Sequence, residues 1–160
     1  MHQTLRTART IAAVLCDARL QLERLRPAEA WEASRTGEAL IIDLRTPTDR
    51  ARDGVIRGSL HLPRTLLEWR VDPTSPRAHP AVGGYHRRLV LVCNEGYSSS
   101  LAAVALHDIG FSLATDVIDG ISGWQAAGLP LVAPAPLADG LRDGDGPIEP
   151  FERCDSSTLR

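Results

Sequence analysis

The segment Leu89–Gly110, LVLVCNEGYSSSLAAVALHDIG, decides the fold. It opens on apolar β-formers in a continuous run, the pattern of a strand covered on both faces. Cys93 ends that strand. Gly96 follows, then Ser98, Ser99 and Ser100. A helical pattern over 99–109 comes next, closed by Gly110. In that helix Leu101, Val104, Ala105 and Leu106 are expected to face the core. Parallel sheets gather their functional groups at the carboxyl ends of strands. A loop that curls from a strand end into a helix start converges its N–H groups and borrows the helix's positive potential. A thiol held there has its thiolate stabilised, and the thiolate is the nucleophile. Gly96 permits the tight backbone. Ser98 or Ser99 can cap the helix, and a serine hydroxyl can donate to the sulfur. The spacing alone also fits a buried cysteine acting as a small apolar filler.

Outward from this segment, strands and helices alternate. LQLERL (Leu20–Leu25) reads as a short strand, and Pro27 suits the first turn of a helix through PAEAWEAS that ends at Gly37. ALIIDL (Ala39–Leu44) is a second doubly buried strand, with a short helix around Thr48–Arg52 after it. GVIRGSLHLP turns into a strand at Ser59–Leu62, and RTLLEWRV (Arg64–Val71) reads as a helix. Residues 72–86 are a Pro- and Gly-rich loop. ATDVID (Ala114–Asp119) is the last strand, and ISGWQAAG (Ile121–Gly128) a short helix. This alternation predicts a parallel sheet with helices on both faces. Residues 1–18 read as an N-terminal helical extension with Leu5, Ile11, Val14 and Leu15 on one face. Residues 19–134 form the domain. Residues 135–160 lose the apolar period and are expected to be disordered.

The chain has 160 residues, enough for one domain with a full core. Its net charge of −2 gives no electrostatic grip on nucleic acid. All eighteen basic residues are arginine, a composition of a GC-rich, bacterial coding sequence. No apolar run approaches the roughly 20 residues of a membrane span, and TIAAVLC is too short for a secretory core. Cys16, Cys93 and Cys154 are odd in number and widely spaced, so no disulfide framework is expected, and a cytoplasmic, reducing location fits. The five histidines show no metal-ligand spacing, so neither a metal nor another cofactor is expected.

CNEGYSS resembles the active-site loop of the rhodanese-like sulfurtransferases. IIDLR is similar to that family's strand followed by Asp-x-Arg. RDGVIRGSLHLP resembles its Gly-x-Ile-x-Gly-Ala/Ser segment ending at Pro, and DVIDGISGWQAAGLPLV its closing Gly-x-x-x-Trp-x-x-x-Gly-x-Pro signature. The resemblance covers about Leu20–Val132. It implies a three-layer α/β fold with a five-stranded parallel sheet in order 3-2-4-5-1, Cys93 ending strand 4. It also implies a function: a cysteine persulfide that takes a sulfane sulfur from a donor such as thiosulfate and hands it to cyanide or a thiol. Cys93 matches the nucleophile. Asn94, Glu95, Gly96, Tyr97 and Ser98 match the loop, with Ser99 just beyond it. Asp43 and Arg45 match the supporting Asp-x-Arg, for which a structural ion pair is the stronger expectation.

Some residues depart from the pattern or stay open. Glu95 places a negative charge where some thiosulfate users carry basic residues, so a persulfide donor, small or on a protein partner, is favoured over dianionic thiosulfate. Tyr97 either walls the pocket or is a surface aromatic. Trp69 and Trp124 read as packing, and among Arg64, Arg70, Arg77, Arg87 and Arg88 one or two can rim the pocket. Cys154 is a bystander thiol or a resolving one. A phosphatase on the same fold needs an arginine at the far end of the loop, where position 99 is serine. A non-catalytic binding module, or a persulfide relay dedicated to one protein, is the remaining alternative.

Overall fold

The structure is a computed structural model that describes residues 8–135. Four parallel strands build one sheet: β1 (Ala39–Asp43), β2 (Leu60–His61), β3 (Arg88–Val92) and β4 (Thr115–Asp116). Their order is β2-β1-β3-β4. The fifth strand expected at Leu20–Leu25 is reduced to one residue. Leu25 pairs with Val117 in an isolated parallel bridge, which places it beyond β4. The reason lies in the preceding helix. Helix α1 (Ile11–Leu20) is capped by Thr10, which accepts from Ala13 N–H, and it takes Leu20, while its C-terminal turn, with Gln21 and Leu22 N–H bonded to Ala18 O and Arg19 O, takes the next two residues expected to be extended.

Pleating divides the core. Ile42, Leu44, Leu89 and Leu91 face one side with Leu67 and Val71 of α4 (Leu67–Val71) and Ala102, Ala103 and Leu106 of α5 (Ser98–Asp108). Ala39, Ile41, Val90 and Val92 face the other. There they meet Ala30 and Ala33 of α2 (Pro27–Arg35) and Ile121 and Trp124 of α6 (Gly120–Ala126). This alternation along two strands buried on both faces gives the three layers. Trp124 is fully buried, stands edge-on to Trp31 and donates its indole N–H to Pro130 O at 3.2 Å. Trp69 is half-exposed. Helix α3 (Pro47–Asp53) is capped by Thr46, and Val55 and Val132 close the chain with an antiparallel bridge.

Two faces differ from expectation. Helix α1 packs against α5, but its buried residue is Ala18, while Ile11 and Val14 are exposed. On α5 the buried face is Ser99, Ser100, Ala102, Ala103 and Leu106, while Leu101, Val104 and Ala105 are only partly covered. Polar side chains in its first turn hid the phase of the helix, because those serines are buried for hydrogen bonding. Leu5, Cys154 and 136–160 lie outside the described residues. Among the described residues, no helix is long and apolar enough to cross a membrane.

Candidate active site

Cys93 stands at the carboxyl end of β3, and the loop from Asn94 to Tyr97 turns the chain into α5. The Sγ atom is buried in a cradle. Gly96 N–H donates to it at 3.1 Å, and Ser99 Oγ lies 3.2 Å away. Burial pushes the Cys93 thiol up. Hydrogen bonds from the Ser99 and Ser98 hydroxyls, and from the Ser99 and Glu95 backbone N–H groups, more than offset this and leave it below the ordinary thiol value.

The cradle is held from outside by its carbonyls. In a trans peptide the C=O and the following N–H point opposite ways. Cys93 O accepts from Ile121 N–H at 2.9 Å, and Asn94 O from Ser122 N–H at 3.0 Å. Both carbonyls are thus drawn to the start of α6, which turns the Glu95 N–H toward the sulfur. Gly96 O accepts from Arg19 at 2.8 Å and Arg24 at 3.3 Å, and the Ser100 Oγ lies 3.1 Å from it. Gly96 has φ +73°, and a Cβ there would come within 2.9 Å of Asp119 N, so glycine is required on both counts.

Beneath the cradle lies Asp116 of β4, fully buried. It accepts from Ser99 and Ser100 hydroxyls at 2.8 Å each, and from Arg24 Nε at 2.7 Å. The serines of the loop therefore do not cap α5. Its N-cap position is Tyr97, with no side-chain bond, because the hydroxyls are committed to the sulfur and to Asp116.

The other expected residues divide. Asn94 is half-buried; hydrogen bonds from Thr46 and then Asn94 hold the Asp49 carboxyl below its ordinary value. Glu95 and Ser98 are exposed. Tyr97 is 56% exposed, with the Arg19 guanidinium 5.6 Å from its ring centre. Asp43 and Arg45 form a buried pair at 2.8 Å. Arg45 also binds Gly54 O at 2.8 Å and Asp53 at 3.5 Å, and its side chain has no exposed surface. It is therefore a structural clamp that ties β1 to α3. Arg45→Met is expected to cost about 3 kcal/mol, the low end for breaking a buried pair, because Arg50 still faces Asp43 at 3.3 Å. Chemical denaturation measures that cost; the alkylation rate of the folded protein's Cys93 should stay unchanged.

Sequence reading did not find Arg19, Arg24, Ser100 or Asp116. Of the arginines considered for the rim, Arg64 pairs with Glu68 and Arg88 with Glu38, each at 2.8 Å. The only available signal was a Ser-Ser pair and an Asp in two elements destined to be adjacent, and register decides that.

The profile of the rhodanese-like domain matches residues 26–127. The chain belongs to the rhodanese-like family. A sulfurtransferase of Allochromatium vinosum is 32% identical over 62% of this chain and 83% of the relative. The thiosulfate sulfurtransferase GlpE of Actinobacillus succinogenes is 30% identical over 66% of this chain and 86% of its own length. A solved structure from Rhodopseudomonas palustris, a protein of unknown function described as a possible tyrosine phosphatase, superposes with TM-score 0.70. It is 34% identical and covers 82% of this chain and 98% of its own. A rhodanese-like domain thus frames the Cys93 loop on both sides of the sheet.

Proposed function

We propose that this protein is a sulfurtransferase that carries a sulfane sulfur on Cys93 as a persulfide. The observation that carries the reading is the Cys93 sulfur itself, ringed by N–H and hydroxyl donors with its thiol held low. In the first displacement the Cys93 thiolate attacks the outer sulfur of the donor. The sulfur–sulfur or sulfur–sulfonate bond breaks, and the leaving thiolate or sulfite departs with its electron pair. In the second, a thiol or cyanide attacks the outer sulfur of the persulfide and restores the thiolate. No electrons are gained or lost overall. The converging N–H groups stabilise the anion in both resting states.

A phosphatase needs a guanidinium inside the loop to clamp three phosphoryl oxygens. Position 99 is serine, bonded to Asp116, while Arg19 and Arg24 are spent on Gly96 O from outside the cradle. This favours sulfur over phosphoryl chemistry. Both described cysteines, Cys16 and Cys93, are free, which supports a reducing cytoplasm with its thiol pool as acceptor. A protein persulfide partner suits the exposed Glu95 and Tyr97 beside the cradle.

Intact mass after incubation with thiosulfate and, separately, glutathione persulfide tests the reading. A gain of one sulfur, mapped to the Cys93 peptide and not to Cys16, supports it. No adduct on the folded protein from either donor overturns it in favour of a non-catalytic binding module. Glu95 sets the donor. Its carboxylate opposes a dianion and is screened by water, so Glu95→Gln should lower the KM for thiosulfate by about threefold, under 1 kcal/mol. The KM for a persulfide should move less. Steady-state kinetics with both donors checks this, and an unchanged thiosulfate KM removes Glu95 from donor choice.

A further inference from the structure

The Ser99 hydroxyl has one proton and two claimants. It lies 3.2 Å from Cys93 Sγ and 2.8 Å from Asp116 Oδ2. While Cys93 is a thiol, the S–H donates to Ser99 Oγ and Ser99 donates to Asp116. A thiolate or persulfide anion has no proton to give and needs a donor, so the Ser99 O–H must then turn to the sulfur. Asp116 loses that bond but keeps three others, one from the Ser100 hydroxyl at 2.8 Å and two from Arg24 at 2.7 Å and 3.2 Å. A buried carboxylate left with no donor would be costly. One left with a guanidinium on both oxygens is not.

We propose that Ser99 is a proton switch between Asp116 and the Cys93 sulfur, and that Arg24 is the positioning residue that sets its balance. The thiol proton leaves to solvent and Ser99 keeps its own, so nothing is oxidised or reduced. The inference deepens the sulfurtransferase reading and rests on it for its purpose: the switch serves a sulfur that alternates between neutral and anionic states.

The surroundings leave this chain of groups in control. Arg19 on α1 and Arg24 ahead of α2 reach Gly96 O, so two cations stand behind a loop that contains no basic residue. Asp43 at the end of β1 is paired with Arg45 and Arg50, and Asp49 on α3 with Arg52. Glu95 in the loop and Asp119 ahead of α6 are exposed and screened by water. Asp116 is the buried carboxylate closest in the hydrogen-bond chain to the sulfur, one hydroxyl away.

The test reads Cys93 alkylation by iodoacetamide, resolved by mass on its own peptide, from about pH 5 to about pH 10. The wild-type midpoint is expected below the ordinary thiol value of about 8.5. Ser99→Ala removes the donor, and Arg24→Gln leaves Asp116 an unbalanced anion that holds Ser99 more tightly. Both should move the midpoint upward and cut reactivity near pH 7 by about tenfold. Asp116→Asn removes the competing anion and frees Ser99 for the sulfur, so its midpoint should move down. A merely structural network would loosen the cradle in all three variants and shift every midpoint upward. An upward shift in folded Asp116→Asn, or no shift in both Ser99→Ala and Arg24→Gln, overturns the proposal. Should Asp116→Asn fail to fold, Arg24→Lys decides: it keeps a cation on the Asp116 carboxylate, so a midpoint near wild type supports the switch, and a rise as large as that of Arg24→Gln overturns it. Alkylation needs no sulfur donor, so this outcome is independent of whether the wild type loads a sulfur.

Discussion

Cys93→Ser is expected to abolish sulfur loading and to lower any sulfur-transfer turnover by more than about 10³-fold, the scale of losing a covalent nucleophile. An alcohol is scarcely ionised at neutral pH, and its oxygen is a poor nucleophile toward sulfane sulfur. Cys93 is favoured by contrast, because the donors from Ser99, Ser98 and Glu95 hold its thiol low despite burial. The fold should tolerate the change. A serine at this position keeps partners at Ser99 and at Gly96 N–H, and the surface removed from the core is small. The unfolding temperature is therefore expected to stay within about 4 °C of wild type. The variant separates chemistry from binding. If it is folded and still turns over, the sulfur is not carried on Cys93. If it is silent but still binds a persulfidated protein, the partner surface survives without the reaction.

Much of this arrangement is legible in the chain because it is local. The run from Leu89 to Cys93, its uninterrupted apolar character and the glycine three residues on predict a buried strand entering a tight loop, and β3 with its cradle is what forms. The neighbour relations of the strands agree with the family resemblance, from β2 through β4 to the Leu25 bridge. The edges are less legible. Whether Leu20 ends a helix or begins a strand depends on how far a capped helix propagates against one pairing at Leu25, and periodicity does not weigh those terms. The serines of α5 mislead for the opposite reason. They look like caps and solvent-facing polar residues, yet Ser99 and Ser100 are buried because Asp116 waits beneath them. Asp116, Arg24 and Arg19 are far from Cys93 in sequence. Only the parallel register of β4 on β3, Leu91 beside Asp116, brings the carboxylate under the cradle.

Gly120→Ala is expected to damage the fold and the reaction together, although residue 120 has no side chain to take part in chemistry. Gly120 has φ +55°, a region that costs an alanine about 1–2 kcal/mol. Its added Cβ would lie 2.3 Å from Cys93 O and 2.9 Å from the Asn94 carbonyl carbon and oxygen. Those atoms are backbone, so no side chain can swing aside. Relief requires α6 to retreat from the loop, which breaks the bonds from Ile121 N–H to Cys93 O and from Ser122 N–H to Asn94 O. Strain and repacking together predict a loss of about 3 kcal/mol or more, or roughly 10 °C in unfolding temperature. The catalytic effect follows from the same two carbonyls. Once released they rotate, and the peptide planes carry the N–H groups off the sulfur. A misplacement of about 1 Å is enough for a loss of about 10²-fold. Cys93 alkylation distinguishes the two effects at a temperature where the variant is folded. Its midpoint should rise toward the ordinary thiol value as the donors turn away. A variant that is destabilised but alkylates with the wild-type midpoint would show that α6 supports the domain without shaping the cradle.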